Sequence, residues 1–470
     1  MLDKVLRYRF PPGFVWGSAT AAIQIEGAAS IGGKGPSNWD VFCEKHPEKI
    51  FDGGSPAVAC DHYHRYKEDV QLMKQTGHTG YRCSIAWTRV FPRGSGAVNP
   101  EGVAFYRALF KELLDNGIEP NVTLYHWDLP QPLALLGGWE NKQTIEHFNH
   151  YAKTCFELFG DQVKLWATLN EPGWTTLQGY VTGLHPPNKT SHKSAIQVAH
   201  NFLVAHAKVV KTYHALNQGG TIGVVLNMST IYPVSQDPAD VRAASIADGV
   251  LNRWFIDPAL KGAYPTDVWQ LYTDCGLLPD HTAEELALFK QDTVDWIGVN
   301  YYYPHFASAD AKESAYHLNT SGNKDEACIF SIKDQFRFVK NPNGKFTDWG
   351  WEIYPEGLYD LLMRAQEYRP GIPVYITENG VGMQESLAGD TVNDTGRIEF
   401  VTEHLQVAHR AMKAGVNLRG YYMWALMDNF SWVNGFKKRY GFLFVDRKTQ
   451  DRSIKASGHW YRRVSEQNGF

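Results

Sequence analysis

Ile376-Thr377-Glu378-Asn379-Gly380 follows directly on Pro373-Val374-Tyr375. Residues 373–376 read as the tail of a buried strand, and Gly380 as the turn that ends it. Between them a carboxylate is carried out of an apolar strand to its C-terminal mouth. A charge there is costly unless it is paired or put to use. Far upstream, Leu165-Trp166-Ala167-Thr168-Leu169-Asn170-Glu171-Pro172 has the same shape. It is apolar, then gives Asn-Glu, then a proline that stops the strand. Two strands distant in sequence therefore each deliver a glutamate at the end.

Outward from these runs, further strand-like segments occur at 14–22, 81–87, 120–127, 222–227, 294–302 and 418–426. Segments with helical character lie between them at 59–76, 100–116, 142–159, 191–217, 355–368 and 395–414. Alternation of this kind, with no linker and no internal repeat, predicts a parallel sheet with helical crossovers. Eight such strands predict a single (β/α)8 TIM barrel over 1–470, with long βα loops and its site at the C-terminal face. Length alone would suggest about three domains, but α/β barrels routinely run long as one. The alternative is an open doubly wound sheet. No G-x-G-x-x-G follows the first strand, which counts against a dinucleotide site. The polar run 304–348 reads as a long loop excursion, of a kind compact domains rarely keep without a use.

Lys and Arg number 46 against 50 Asp and Glu, a net charge of −4, and nothing in that balance suits nucleic acid or an anionic membrane. Aromatic residues make up 13%, with 15 Trp and 24 Tyr, which suits flat, polar-edged ligands such as sugars as well as it suits a large core. Cys43, Cys60, Cys83, Cys155, Cys275 and Cys328 form no CxxC pair or zinc-finger spacing, and read as reduced thiols of a cytoplasmic protein. The start, Met1 to Arg7, reaches Pro11-Pro12 without a long apolar stretch, so no signal peptide is expected. No run approaches the length needed to span a bilayer. His62 and His64 form an HxH, but with no third ligand nearby and a helix around them they read as structural. No metal or organic cofactor is expected.

Two carboxylates at strand mouths are what hydrolysis of a glycosidic bond requires. The motifs Thr168-Leu169-Asn170-Glu171-Pro172 and Ile376-Thr377-Glu378-Asn379-Gly380, on the fourth and seventh strands, resemble the β-glycosidases of glycoside hydrolase family 1. The resemblance runs from Gly17-Ser18-Ala19-Thr20-Ala21 to the region of Trp460. It implies that Glu171 is the acid/base and Glu378 the nucleophile, with retention at the anomeric carbon. The chemistry of a retaining site is consistent with that division. The carboxyls must lie roughly 5–5.5 Å apart, one ionised to attack and the other protonated to release the leaving oxygen. Repulsion between them raises one of the two pKa values.

The resemblance also implies a sugar pocket. Gln24 and His126, taken to end the first and third strands, would hold hydroxyls of the reacting sugar. Asn170 would bond the 2-hydroxyl, an interaction that strengthens in the transition state. Arg82 would lie near Glu378 and keep it ionised. Asn300 and Tyr302 match the family's Asn-Tyr-Tyr motif, Tyr302 as a donor to the nucleophile. Trp424 would form the floor under the sugar, and Trp351 the aglycone platform, widened by Trp349.

One stretch departs from the family's ordinary β-glucosidases: Asn429-Phe430-Ser431-Trp432-Val433-Asn434-Gly435-Phe436-Lys437-Lys438-Arg439-Tyr440-Gly441. Their glutamate, which accepts from the sugar's 4- and 6-hydroxyls, is replaced by Ser431. The stretch is similar to members acting on 6-phospho-sugars, with Ser, Lys and Tyr at this spacing. A glutamate would repel a phosphate dianion. Ser431 and Tyr440 offer hydroxyl donors and Lys438 the opposite charge. The bland alternative is that Lys437, Lys438 and Arg439 are a solvated basic turn. Trp432 resembles the residue of members that accept galactose, where an indole N–H can donate to the 4-hydroxyl. The expected substrate is a phosphorylated disaccharide or other 6-phospho-β-glycoside, galactoside in preference to glucoside, that has first entered the cell. The competing readings are an ordinary β-glucosidase or β-galactosidase, and a catalytically inactive sugar-phosphate-binding protein. The presence of both Glu171 and Glu378 speaks against the last.

Overall fold

Apolar runs buried on both faces become strands when helices cover one side and a filled lumen the other. A computed structural model describes residues 7–470 apart from 292, 324, 327, 388 and 390; the amino-terminal residues 1–6, part of the stretch read as lacking a signal peptide, lie outside the described residues. Eight strands close into a barrel: β1 (Val15–Ala19), β2 (Gly80–Ser84), β3 (Glu119–Tyr125), β4 (Leu165–Asn170), β5 (Thr221–Asn227), β6 (Trp296–Asn300), β7 (Val374–Asn379) and β8 (Leu418–Trp424). Each pairs in parallel with its sequence neighbours. β8 closes on β1, with Val15 opposite Gly420 and Ala19 opposite Trp424. The predicted TIM barrel is the observed one.

Alternation along a strand sorts side chains between lumen and helix layer. On β4, Leu165 and Ala167 join Val225 and Trp296 in the lumen. Trp166 faces outward against Phe156, ring centroids 5.1 Å apart. Phe156 belongs to the helix Gln143–Phe159, which buries Ile145, Phe148, Ala152, Cys155 and Phe159 along one face, the spacing of an amphipathic helix. Helix starts carry the expected signals. Asn99 accepts from the Glu101 N–H ahead of Pro100, and Ser191 from the Ser194 N–H.

The structure departs from the sequence reading at the barrel mouth. β1 ends at Ala19, and Ala22–Ile25 is a short helix; β2 ends at Ser84, and Trp87–Val90 is another. The apolar runs continue past the ladder because the loops that follow are also buried. The 304–348 excursion is not a plain loop. His305–Ser308, Ala315–His317, Ile329–Ile332 and Phe336–Phe338 form a sheet with Ile231–Pro233. Phe336 of this sheet packs on Ala243 and Ala247 of the helix Pro238–Asp248. That helix and three more, Trp254–Lys261, Thr266–Asp274 and Ala283–Gln291, fill the span between β5 and β6. His62 bonds Asp69 at 2.7 Å in the interior, whereas His64 turns to Asp61 at the surface. The two imidazoles do not converge. The six cysteines are free thiols. No helix among the described residues is long and apolar enough to cross a membrane.

Gly380 ends β7 for a reason other than a left-handed turn. A Cβ there would lie 1.9 Å from the carbonyl oxygen of Trp424, so only glycine lets β7 and β8 approach at the mouth. Gly380→Ala is expected to cost about 1–3 kcal/mol, read as a lowered melting temperature together with reduced turnover. An unchanged melting temperature would show that the mouth can relax around a methyl group.

Candidate active site

Adjacent residues on a strand point to opposite faces, yet Asn170 and Glu171 both turn inward. The backbone makes this possible. β4 slips register against β5 between Ala167 and Asn170, and Glu171 adopts a left-handed conformation, φ 48° and ψ 60°. For a residue with a Cβ this costs about 1–3 kcal/mol and persists only where the surroundings over-determine it. β7 shows a similar slip between Ile376 and Glu378. Pro172 then opens the helix Pro172–Thr176 at its first position.

Glu378 accepts from Arg82 Nη1 at 2.6 Å and from Tyr302 Oη at 2.6 Å. Arg82 Nη2 also donates to Asn170 Oδ1 at 2.7 Å and to Thr123 Oγ1 at 3.1 Å. Glu171 accepts from Asn300 Nδ2 at 2.7 Å. The Asn300 amide is oriented by Thr377 Oγ1, which donates to its Oδ1 at 2.7 Å. Both carboxyls are buried. Burial, then the charge of Glu378, pushes Glu171 up to about 8 against the Asn300 hydrogen bond. Burial also raises Glu378, but the Arg82 charge and the hydrogen bonds from Tyr302 and Arg82 pull it back. A guanidinium and a phenol stabilise a carboxylate more than one neutral amide does. Glu378 is therefore the member that ionises first, and Glu171 the one that keeps its proton.

Both carboxyls line one cavity at the C-terminal mouth of the barrel. Gln24, His126, Asn300, Tyr302, Trp351, Trp424 and Trp432 line it too, as do Ser431, Lys438 and Tyr440. Arg82 and Asn170 lie one layer beneath, bonded to the groups that line it. Gln24 sits on the short helix after β1, not at the strand end. It donates its Nε2 to Phe430 O at 2.7 Å, and its Oε1 remains buried without a partner. Asn170 Oδ1 receives Arg82 and Asn300, so its Nδ2 faces His126 Nε2 at 3.0 Å. Burial and the Arg82 charge keep His126 neutral. Its Nε2 is thus the acceptor and its unpartnered Nδ1 carries the proton. Gln24 and His126 together present one acceptor and one donor, the pairing a vicinal diol can use.

Trp349 does not widen the Trp351 platform. It is fully buried, with Lys438 Nζ 5.1 Å from the centroid of its ring. The sequence reading also missed wall residues. Tyr303 completes the run Tyr301-Tyr302-Tyr303, and Asn319 and Thr320 reach the cavity from the 304–348 excursion. The third consecutive tyrosine was a usable signal; polar residues in a polar segment were not.

Lys438 is only 1% exposed. Its Nζ lies 3.2 Å from the centroid of the Trp351 ring and 5.4 Å from that of Tyr440. Among the described residues no carboxylate pairs with it, and burial drives its pKa well below the usual lysine value. This is not a solvated basic turn. No group of His, Cys, Asp and Glu among the described residues could hold a metal ion.

A closed parallel barrel with two buried carboxyls at its mouth, unequal in proton affinity, defines a glycosidase site. The family model for Glycosyl hydrolase family 1 matches residues 6–470, and the chain belongs to that family, whose members hydrolyse with retention. It is 43% identical to the 6-phospho-beta-glucosidase GmuD of Bacillus subtilis, over 99% of both chains. It is 40% identical to a 6-phospho-beta-galactosidase of Clostridium acetobutylicum over 97% of both, and 42% identical to beta-glucosidase A of Acetivibrio thermocellus over 98% of this chain and 99% of that one. The solved family 1 beta-glucosidase from Thermotoga maritima superposes with a TM-score of 0.90 at 38% identity, covering 98% and 99% of the two chains.

A carboxyl with a raised folded-state pKa binds its proton more tightly in the native state than in the unfolded one. Stability is therefore present below the ordinary carboxyl value of 4.5 and is lost as pH rises toward about 8 for Glu171. Glu171→Gln keeps the acceptor for Asn300 and removes the titration. Its melting temperature should rise relative to the parent as pH goes from 5 to 8. A constant difference across that range would contradict the raised value.

Proposed function

We propose that the chain hydrolyses 6-phospho-β-glycosides by double displacement, with Glu378 as nucleophile and Glu171 as acid/base. Glu378, held ionised by Arg82 and Tyr302, attacks the anomeric carbon as Glu171 protonates the departing oxygen. Formation of the glycosyl ester removes the Glu378 charge. The pKa of Glu171 then falls, and it serves as base for the water that releases the sugar. Gln24 and His126 bind the hydroxyls over Trp424, with Asn170 orienting His126 from beneath, and Trp351 faces the leaving group.

The observation that carries the phosphate reading is Lys438: a buried lysine with no carboxylate partner among the described residues, lining the same cavity as Glu171, Glu378, Ser431 and Tyr440. Burial without a counter-charge disfavours its protonated form, and a dianionic ligand supplies that counter-charge. The names of the Bacillus subtilis and Clostridium acetobutylicum relatives support this reading. Trp432, whose ring packs tilted against Trp127 and Trp39 at 4.5 and 4.6 Å, favours galactosides, with glucosides accepted. Such substrates arise from a step that phosphorylates the sugar on or after entry, which fits a cytoplasmic setting. The ordinary β-glucosidase reading stays open through the Acetivibrio thermocellus relative.

The test is kcat/KM on nitrophenyl β-galactoside and β-glucoside, each with and without a 6-phosphate. Hydrogen bonds to a charged group contribute about 1.5–3 kcal/mol each, so three contacts predict a preference of at least roughly a thousandfold for the phosphorylated forms. Ser431→Glu should lower that preference by roughly a hundredfold or more. Comparable rates with and without phosphate would return the chain to the ordinary β-glycosidases. On the preferred substrate kcat/KM should fall as pH rises through about 8, where Glu171 loses its proton. A flat profile to pH 9 would remove Glu171 as the acid.

A further inference from the structure

The basic triplet Lys437-Lys438-Arg439 splits three ways. Lys437 lies over the ring of Phe51 at 4.6 Å, Lys438 turns into the cavity, and Arg439 donates to Asp428 Oδ2 at 2.8 Å. Behind Arg439 lies a buried cluster of three carboxylates and three cations: Asp428, Glu385 and Asp394 with Arg439, Lys455 and Arg397. Each carboxylate already receives at least two donors. Asp428 also takes Lys455 Nζ at 2.7 Å and the Gly441 N–H at 2.9 Å. Asp394 takes Arg397 and Ser457, and Glu385 takes Arg397 and Lys455. The three carboxylates are matched by three cations, so the cluster has no unpaired carboxylate for Lys438.

The cluster also grips the backbone. Arg397 Nη2 donates to Arg439 O at 3.0 Å, and Arg439 exchanges backbone hydrogen bonds with Met383 at 2.9 and 3.2 Å. Arg439 makes an isolated antiparallel bridge to Met383 and turns its side chain to Asp428, while Lys438 and Tyr440 on either side of it line the cavity.

We propose that Arg439, held by Asp428, is the positioning residue for phosphate recognition: its ion pair sets the register that aims Lys438 and Tyr440 and keeps Asp428 from capturing Lys438. This rests on the phosphate reading above. Loss of the Arg439 side chain leaves Asp428 Oδ2 without the guanidinium that it accepts from, and the lysine next to Arg439 in sequence is drawn toward that oxygen and away from the sugar.

The test compares kcat/KM on nitrophenyl 6-phospho-β-galactoside with that on the unphosphorylated galactoside for the parent, Lys438→Met, Arg439→Met and Asp428→Asn. Misplacement of a binding group on this scale is worth up to about a hundredfold. Arg439→Met should lower the phosphorylated-to-plain ratio at least roughly tenfold, through KM more than kcat, while the plain galactoside rate stays within about threefold. Asp428→Asn should move the ratio in the same direction, and it decides the matter if Arg439→Met does not accumulate as folded protein. An equal fall on both substrates would mean general loss of packing and overturn the proposal. A ratio unchanged in Arg439→Met but lowered in Lys438→Met would overturn the positioning role alone. A ratio unchanged in Lys438→Met would overturn the phosphate reading and the positioning role with it.

Discussion

Arg82 holds a guanidinium inside the barrel with 1% of its surface exposed. A charge so placed is tolerated only against an opposite charge, and breaking such a pair by removing one member costs about 3–5 kcal/mol. Arg82 finds that charge in Glu378 on β7, and its terminal nitrogens also reach across the lumen from β2 to Thr123 on β3 and Asn170 on β4, while its Nε is buried without a partner. Four of the eight strands are thereby tied at one side chain. The other polar groups take their orientation from it. Asn170 must turn its carbonyl to Arg82, so its amide nitrogen faces His126, which fixes the imidazole tautomer. Asn300 must turn its amide to Asn170 and Glu171, because Thr377 occupies its carbonyl.

The asymmetry of the two carboxyls follows from this arrangement rather than from the glutamates themselves. Both are buried, Glu378 as the last residue but one of β7 and Glu171 directly after β4. Glu378 has a guanidinium and a phenol beside it and Glu171 an amide, and the charge of Glu378 raises Glu171 further. At the far side of the cavity the balance is reversed. Lys438 is buried with no carboxylate partner among the described residues, its Nζ over the Trp351 ring and its pKa pushed down by burial. The cavity thus has a paired guanidinium beneath it and, in its wall, a lysine without a counter-charge.

The alternation of apolar runs and helical segments made the barrel legible, because a strand covered on both faces is apolar throughout. Its strand ends were less so. Residues 20–22 and 85–87 are as apolar as the strands before them, since the loops at the mouth are also buried, and composition cannot mark where the ladder stops. The small sheet built from the 304–348 excursion was invisible for the opposite reason. Its strands are three or four residues long, too short for period-two alternation to rise above a polar background. The helices between β5 and β6 were not read at all.

Local sequence was enough to name Glu171, Glu378 and most of the groups around them, because a charge or an amide at the end of an apolar strand stands out against its neighbours. The same was true of Ser431, Lys438 and Tyr440, whose spacing departs from a known pattern. What they do to one another belonged to the tertiary structure. The left-handed turn at Glu171, the close approach at Gly380, the burial of Trp349 and the outward hold on Arg439 all depend on elements far apart in the chain. Proton affinity and side-chain direction are set by burial and by partners across the barrel, and neither is a property of a residue's neighbours in sequence.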